Sequence, residues 1–472
     1  MAHDLDSLFY PESIAFIGVS MNAAKFGGGF WTKVVQKLGY SGNIYPVGPK
    51  EGEFSGLKVY KSVSDIPGKV DLAIMSIPAQ ITPQIMRECA EKGVKYVHLY
   101  TAGFSETGEQ EGIDLENQLL QAAQCGDVRV VGPNCMGVYC PSSGISWRID
   151  FPRESGPLGV IAQSGWNAVE IIKLGASRKV YCSEAVSYGN ASDLNEADFI
   201  DYFSSDPNTK VVGMYIEGVR DGRRFLSNLK NTAIKKPVVI LKGGRTNAGT
   251  RAVASHTSSL AGTMQIWNAA MKQTGAIAVQ SFDELLDTVV ACLYMPIPQN
   301  RNVGVIGSGG GPSVTAADDC ESAGLNVPPF PEDLRQYLST LMPKEGTSCR
   351  NPLDSPFWWE PDKFSAAVRA IADASEFGSV ILHAEIDSTV LFVHRDIVTM
   401  MSQAMIYAAK NCGKPAACVL RTTGTPEAQQ ILREEQERFI NDGLPLYPSL
   451  ARAAKAMSNL ISYGEWHSNA II

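Results

Sequence analysis

Short apolar runs recur along the chain, each closed by a Gly or Pro turn and followed by a longer stretch with apolar positions at helical spacing. This alternation predicts α/β architecture, with strands buried on both faces as in parallel sheets. A first block has runs at 14–17, 43–47, 71–74, 96–99 and 129–131, before a Ser-, Pro- and Gly-rich segment, 141–157. A second has 160–161, 180–182, 211–216 and 237–241 and ends near the Pro-punctuated 295–300. A third has 303–306, 380–382 and 417–420. Three α/β domains are expected, over 1–152, 153–297 and 298–472.

Composition fits this picture. Of 472 residues, 44% are apolar and 19% charged, the mixture of a globular protein too long for one core. A formal charge of −8 argues against nucleic acid as partner, yet permits small anions held by backbone N–H groups and a few lysines. The amino terminus lacks the apolar run of a secretory signal, and no stretch is apolar enough to span a membrane. The ten cysteines are scattered without a CxxC pair, as expected of reduced, cytoplasmic thiols. No histidine stands at a zinc-ligand spacing, so no metal site is expected. His98 and His383, on apolar runs, are expected to be satisfied core histidines.

Candidate chemistry starts after the first run, at Ile17-Gly18-Val19-Ser20, followed by a loop with Lys25, Gly27 and Gly28. Strand, glycine-rich turn and helix start present free N–H groups to a pyrophosphate. The dinucleotide pattern GxGxxG is broken by Ser20, and the second run ends at Lys50 without the acid that holds a free ribose. That disfavours a nicotinamide dinucleotide and favours a ribose bearing phosphate, as in CoA. Turns containing Pro78, Ala102, Gly103 and Asn134 follow later strands and should lie on the same carboxyl edge.

In the second block His256 sits among small and hydroxyl residues, Ala254-Ser255-His256-Thr257-Ser258-Ser259, where it can react with phosphate. Gln163-Ser164-Gly165 follows a strand and opens a helix, a natural phosphate site, although Ser164 is equally an ordinary helix cap. Glu217 ends the 211–216 run; it can support a histidine through Nδ1 or be a solvated loop acid.

The runs IAFIGVS, YPVGPK, TAGFSETGEQEG and GPNCMGV resemble the CoA-binding domain of the NDP-forming acyl-CoA synthetases, relatives of succinyl-CoA synthetase. ASHTSSLAG resembles their phosphohistidine loop, and Gly307-Ser308-Gly309-Gly310-Gly311-Pro312 with Asn351-Pro352-Leu353-Asp354 resembles their third α/β domain. The resemblance implies a Rossmann-like CoA-binding domain followed by two flavodoxin-like domains. It implies His256 as the phosphorylated nucleophile, Glu217 as its support, and Gln163, Ser164 and Gly165 as the phosphate cradle. Gly18, Ser20, Lys25, Gly27, Lys50, Pro78, Ala102, Gly103 and Asn134 would bind CoA. Gly48, Trp166, Asn167 and Ser258 depart from the family pattern, which has Asn at the first, small residues at the next two and Gly at the last.

No GxxxxGK[ST] loop and no region for an ATP-grasp domain is found. The resemblance therefore implies a β-type ATP-grasp subunit supplying ATP or ADP with Mg2+, in an α2β2-like hetero-oligomer. Phosphate and a small carboxylic acid or its acyl-CoA would be the other reactants. The acid is not legible; Phe357-Trp358-Trp359 can line its pocket or pack a domain junction. A CoA-binding subunit without ligase activity is the alternative.

Overall fold

The computed structural model describes residues 3–20, 27–257, 263–343, 348–354, 360–392 and 394–471; the side chains of 254–257, 392 and 471 are not described. Lys25, Ser258 and Phe357-Trp358-Trp359 lie outside the described residues. The chain divides into two compact units, Met1–Phe282 and Asp283–Ile472. No described helix is long and apolar enough to cross a membrane.

Unit one holds two sheets. The first comprises β1 (Ser13–Ile17), β2 (Asn43–Val47), β3 (Leu72–Met75), β4 (Tyr96–Leu99) and β5 (Arg129–Val131), all parallel in the order β2-β1-β3-β4-β5. β1 and β3 are buried along their whole length, as the uninterrupted apolar runs predict. Helix α1 (Gly28–Leu38) follows β1, its N-cap Gly27 closing the turn.

The second sheet has β6 (Gly137–Tyr139), β7 (Leu158–Ala162), β8 (Cys182–Ser187), β9 (Val211–Ile216), β10 (Val238–Lys242) and β11 (Ile277–Val279), ordered β11-β10-β9-β7-β8-β6. Its five parallel strands repeat the winding of the first sheet, and β6 is an antiparallel edge paired with β8. β6 thus comes from the end of the first expected block. The connection is stitched across: Asn190 N donates to Pro133 O at 3.1 Å and Ser192 N to Gly132 O at 3.2 Å. Buried Glu116 accepts from the hydroxyls of Ser105 and Ser192, each at 2.7 Å.

β8 begins where the expected run at 180–182 ends and continues to Ser187. Its polar residues interrupt the apolar signal, yet all six positions are buried. Ser183 hydroxyl meets Thr209 hydroxyl at 2.6 Å, Glu184 accepts from Tyr10 hydroxyl, and Ser187 accepts from Met136 N at 3.2 Å. Partnered polar groups are tolerated in a core that hydropathy alone would reject.

Unit two holds β12 (Val303–Gly307), β13 (Leu353–Asp354), β14 (Ser379–Glu385), β15 (Ala416–Arg421) and β16 (Leu446–Tyr447), parallel in the order β13-β12-β14-β15-β16. The helix Phe282–Tyr294 belongs almost wholly to this unit, joined to the last helix by Arg452 Nε on Asp287 at 2.5 Å. The two strand histidines differ. His98 donates from Nε2 to Cys135 O at 3.2 Å, the satisfied state expected, and burial lowers its pKa to about 4. His383 departs from expectation: fully buried, neither ring nitrogen has a hydrogen-bond partner among the described residues, and burial lowers its pKa to about 3.

Candidate active site

Each sheet of unit one places a cavity at its carboxyl edge, at the point where the strand order reverses. The first, about 670 Å³, is lined by Gly18, Ser20, Gly48, Lys50, Lys61 and Pro78 among others, with Val63, Ile81 and Ile85 as apolar wall. It combines two lysines with apolar surface, as a phosphate-bearing adenosine requires. Gly18 has φ +97, and a Cβ there would fall 2.2 Å from Ser76 O, so only glycine lets β1 turn under this cavity. At Gly48 a Cβ would fall 2.2 Å from Val19 O; the backbone has closed where the family pattern has a side chain.

Gly27 is outside its lining; a Cβ there would reach Ser76 Oγ at 3.2 Å. Ala102 and Gly103 are outside its lining: they follow β4, where Gly103 N donates to Glu106 Oε1 at 2.6 Å. Asn134 lines the second cavity instead.

That second cavity, about 490 Å³, gathers Asn134, Gln163, Ser164, Gly165, Trp166 and Glu217 with Tyr215 and several glycines. Helix α2 (Gly165–Ser177) begins at its floor, directing the positive end of a helix dipole into it. Ser164 Oγ accepts from Asn167 N at 3.4 Å and so acts as the helix cap. Gln163 is buried and turns its Oε1 to the next strand, accepting from Glu217 N at 2.8 Å and Gly218 N at 3.0 Å.

Glu217 is therefore held by its backbone while its carboxylate faces the cavity. Oε1 accepts from Tyr215 hydroxyl at 3.2 Å; Oε2 is buried and has no partner among the described residues. An unused buried carboxylate oxygen suits an N–H donor brought to it. The far wall is helix α3 (Asn247–Thr257), which contributes Gly249, Ala252 and Val253 and carries His256 in its last turn. The His256 side chain is outside the description.

Lys242 at the end of β10 was not singled out by sequence reading. Its buried Nζ donates to Glu217 O at 2.7 Å and Gly243 O at 2.5 Å and lies 5.8 Å from the Trp267 ring centre; burial lowers its pKa. The available signal was a lysine closing an otherwise apolar strand, Val238–Lys242. No group of His, Cys, Asp and Glu suited to a metal ion occurs among the described residues.

Residues 12–141 match the CoA binding domain family, and 155–292 the succinyl-CoA ligase like flavodoxin domain family. The chain is 35% identical over 468 residues to the alpha subunit of the ADP-forming acetate–CoA ligase I of Pyrococcus furiosus, covering 98% of both. With the ADP-forming acetate–CoA ligase I of Archaeoglobus fulgidus it shares 33% over 466 residues, 98% of this chain and 64% of that one. A solved dinucleotide forming acetyl-coenzyme A synthetase 1 of Ca. Korarchaeum cryptofilum, in complex with phosphate and ADP, superposes with a TM-score of 0.85 at 30% identity, covering 99% of this chain and 98% of that one. By sequence over nearly its whole length and by fold, the chain belongs to the NDP-forming acyl-CoA synthetase family, as an alpha-type subunit.

Proposed function

We propose that this chain binds CoA along its first sheet and carries a transferable phosphate on His256 beside its second, as half of a reversible acid–CoA ligase. In the synthetic direction ATP phosphorylates His256 Nε2, releasing ADP. A carboxylate oxygen of the acid then attacks phosphorus and the N–P bond breaks, giving an acyl phosphate and free imidazole. The CoA thiolate attacks the acyl carbon, and phosphate leaves as acyl-CoA forms.

The observation that carries this reading is the buried Oε2 of Glu217, without a partner among the described residues, in the cavity walled by the helix bearing His256. Glu217 accepts a hydrogen bond from Nδ1–H, which leaves the Nε2 lone pair free to attack, and its charge stabilises the imidazolium of the phosphorylated state. The N–H groups at the start of α2 hold the phosphoryl oxygens, with Ser164 and Gly165 at that turn. Gly18, Ser20, Gly27, Lys50 and Pro78 serve the nucleotide end of CoA. Ala102, Gly103 and Asn134 lie on the path of its arm toward the second cavity. Lys25 is assigned to the same ligand. The domains 1–152, 153–297 and 298–472 are the working units of this scheme.

ATP or ADP with Mg2+ belongs to a β-type ATP-grasp subunit in an α2β2-like assembly. Two facts support a separate partner: the Pyrococcus relative is itself a subunit alpha, and the Archaeoglobus relative extends well past the length matched here. The assembly works in the cytoplasm.

The test is phosphorylation by γ-labelled ATP and magnesium in the presence of the ATP-grasp subunit. Label that is acid-labile, base-stable and absent from His256→Ala supports the scheme; Glu217→Gln should slow its appearance about 100-fold or more. CoA binding without any label would instead make this a CoA or acyl-CoA carrier without ligase activity.

A further inference from the structure

The cavity beside Glu217 has one wall that neither phosphate nor CoA chemistry explains. Trp166, the second residue of α2, lines it yet is 71% exposed. Such exposure means that the indole does not fill the cavity; it stands at the lip with a broad apolar face in water. An exposed tryptophan gives no packing to its own fold and gains free energy when something flat covers it.

The surroundings leave room for that cover. Gly165, Gly189, Gly244 and Gly249 provide much of the rest of the lining, without side chains, and the space of about 490 Å³ falls in the range used for ligands far larger than a two-carbon acid. Trp166 also directly follows Gly165, at the helix start that receives the reacting group. A substrate with its carboxylate at that helix end therefore carries its adjoining carbons past the indole face.

On the ligase reading above, we infer that Trp166 is a specificity-determining residue, and that the acid taken by this chain is flat and unsaturated or aromatic close to its carboxyl group. Stacking on the indole supplies the preference, while Gln163, Glu217 and the α2 terminus act on every acid alike. The indole lines the same cavity as the reacting groups, which favours a substrate over a partner protein as its cover.

The test uses the chain assembled with its ATP-grasp subunit and measures thioester formation from acetate, butanoate, phenylacetate and cinnamate with ATP and CoA. Wild type should have higher kcat/KM for the two aryl acids than for acetate. Trp166→Ala should lower the aryl-to-acetate ratio about three- to ten-fold, the scale of one aromatic contact. Trp166→Phe should preserve most of it. A wild-type preference for acetate overturns the inference, as does an equal loss for all four acids in Trp166→Ala, which marks a structural or subunit contact. If no acid yields a thioester and His256 takes no label while CoA still binds, the ligase reading falls, and this inference with it.

Discussion

The Gln163 side chain and the Glu217 backbone are joined by a two-point contact: Oε1 accepts from Glu217 N at 2.8 Å and from Gly218 N at 3.0 Å. Gln163 follows β7 and Glu217 follows β9, adjacent strands of the second sheet. The contact thus fixes the carboxylate relative to the start of α2. On the opposite side Lys242 Nζ holds Glu217 O, so both peptide groups of this one residue are clamped by side chains.

Gln163→Leu should free the 217–218 peptides and let the carboxylate drift. Misplacement of a supporting group by about an ångström costs on the order of 10- to 100-fold in rate. Rapid-quench measurement of His256 phosphorylation should show that loss, with CoA affinity unchanged because the first cavity is untouched. An unaltered rate would mean that the clamp does not position Glu217.

Lys242→Met retains the aliphatic stem but leaves the carbonyls of Glu217 and Gly243 without their buried donor. A destabilisation of about 1–3 kcal/mol is expected, the penalty for buried polar groups losing their partner. The urea unfolding midpoint of unit one reports it. An unchanged midpoint would place water in the role assigned to the ammonium.

Lys50 is exposed at the rim of the first cavity. If it meets the ribose phosphate, Lys50→Ala should weaken CoA about three- to five-fold, the scale of an exposed ion pair. Calorimetric titration with CoA and 3′-dephospho-CoA separates the cases. Equal loss for both ligands would assign Lys50 elsewhere on the nucleotide.

Glu184 predicts a pH dependence of stability. Burial, opposed by the hydrogen bond from Tyr10 and reinforced by the Asp206 carboxylate, raises its pKa to about 7. A raised folded-state value means that its contribution is full below the unfolded value near 4.5 and is lost as pH climbs toward 7. The change amounts to about 3 kcal/mol between those limits. Chemical denaturation from pH 4.5 to 8 should show this decline, and Glu184→Gln should flatten it; an unchanged slope in the variant would assign the effect to other groups.

Much of the framework is visible in one dimension. Buried parallel strands need apolar side chains on both faces, so β4, β5 and β9 stand out as the runs 96–99, 129–131 and 211–216. Chemistry at strand ends is visible for the same reason: a turn that must bare N–H groups uses Gly18 or Gly165, and a carboxylate closing an apolar run, Glu217, must face an edge. Strand β8 was misplaced because Ser183, Glu184 and Ser187 look like solvent-facing residues until Thr209, Tyr10 and Met136 arrive to pair with them.

By itself, then, the sequence determined the α/β class, the order of the chemical motifs and the family they resemble, because backbone turns and strand burial are written in local residue types. Only the tertiary structure decided which side chains meet. It turned the Gln163 side-chain oxygen to the backbone of Glu217, enlisted Lys242 as the second clamp, gave β6 to the neighbouring sheet and stood Trp166 in water at the lip. Those outcomes depend on contacts between segments tens of residues apart, whose energies exist only after the sheets have formed.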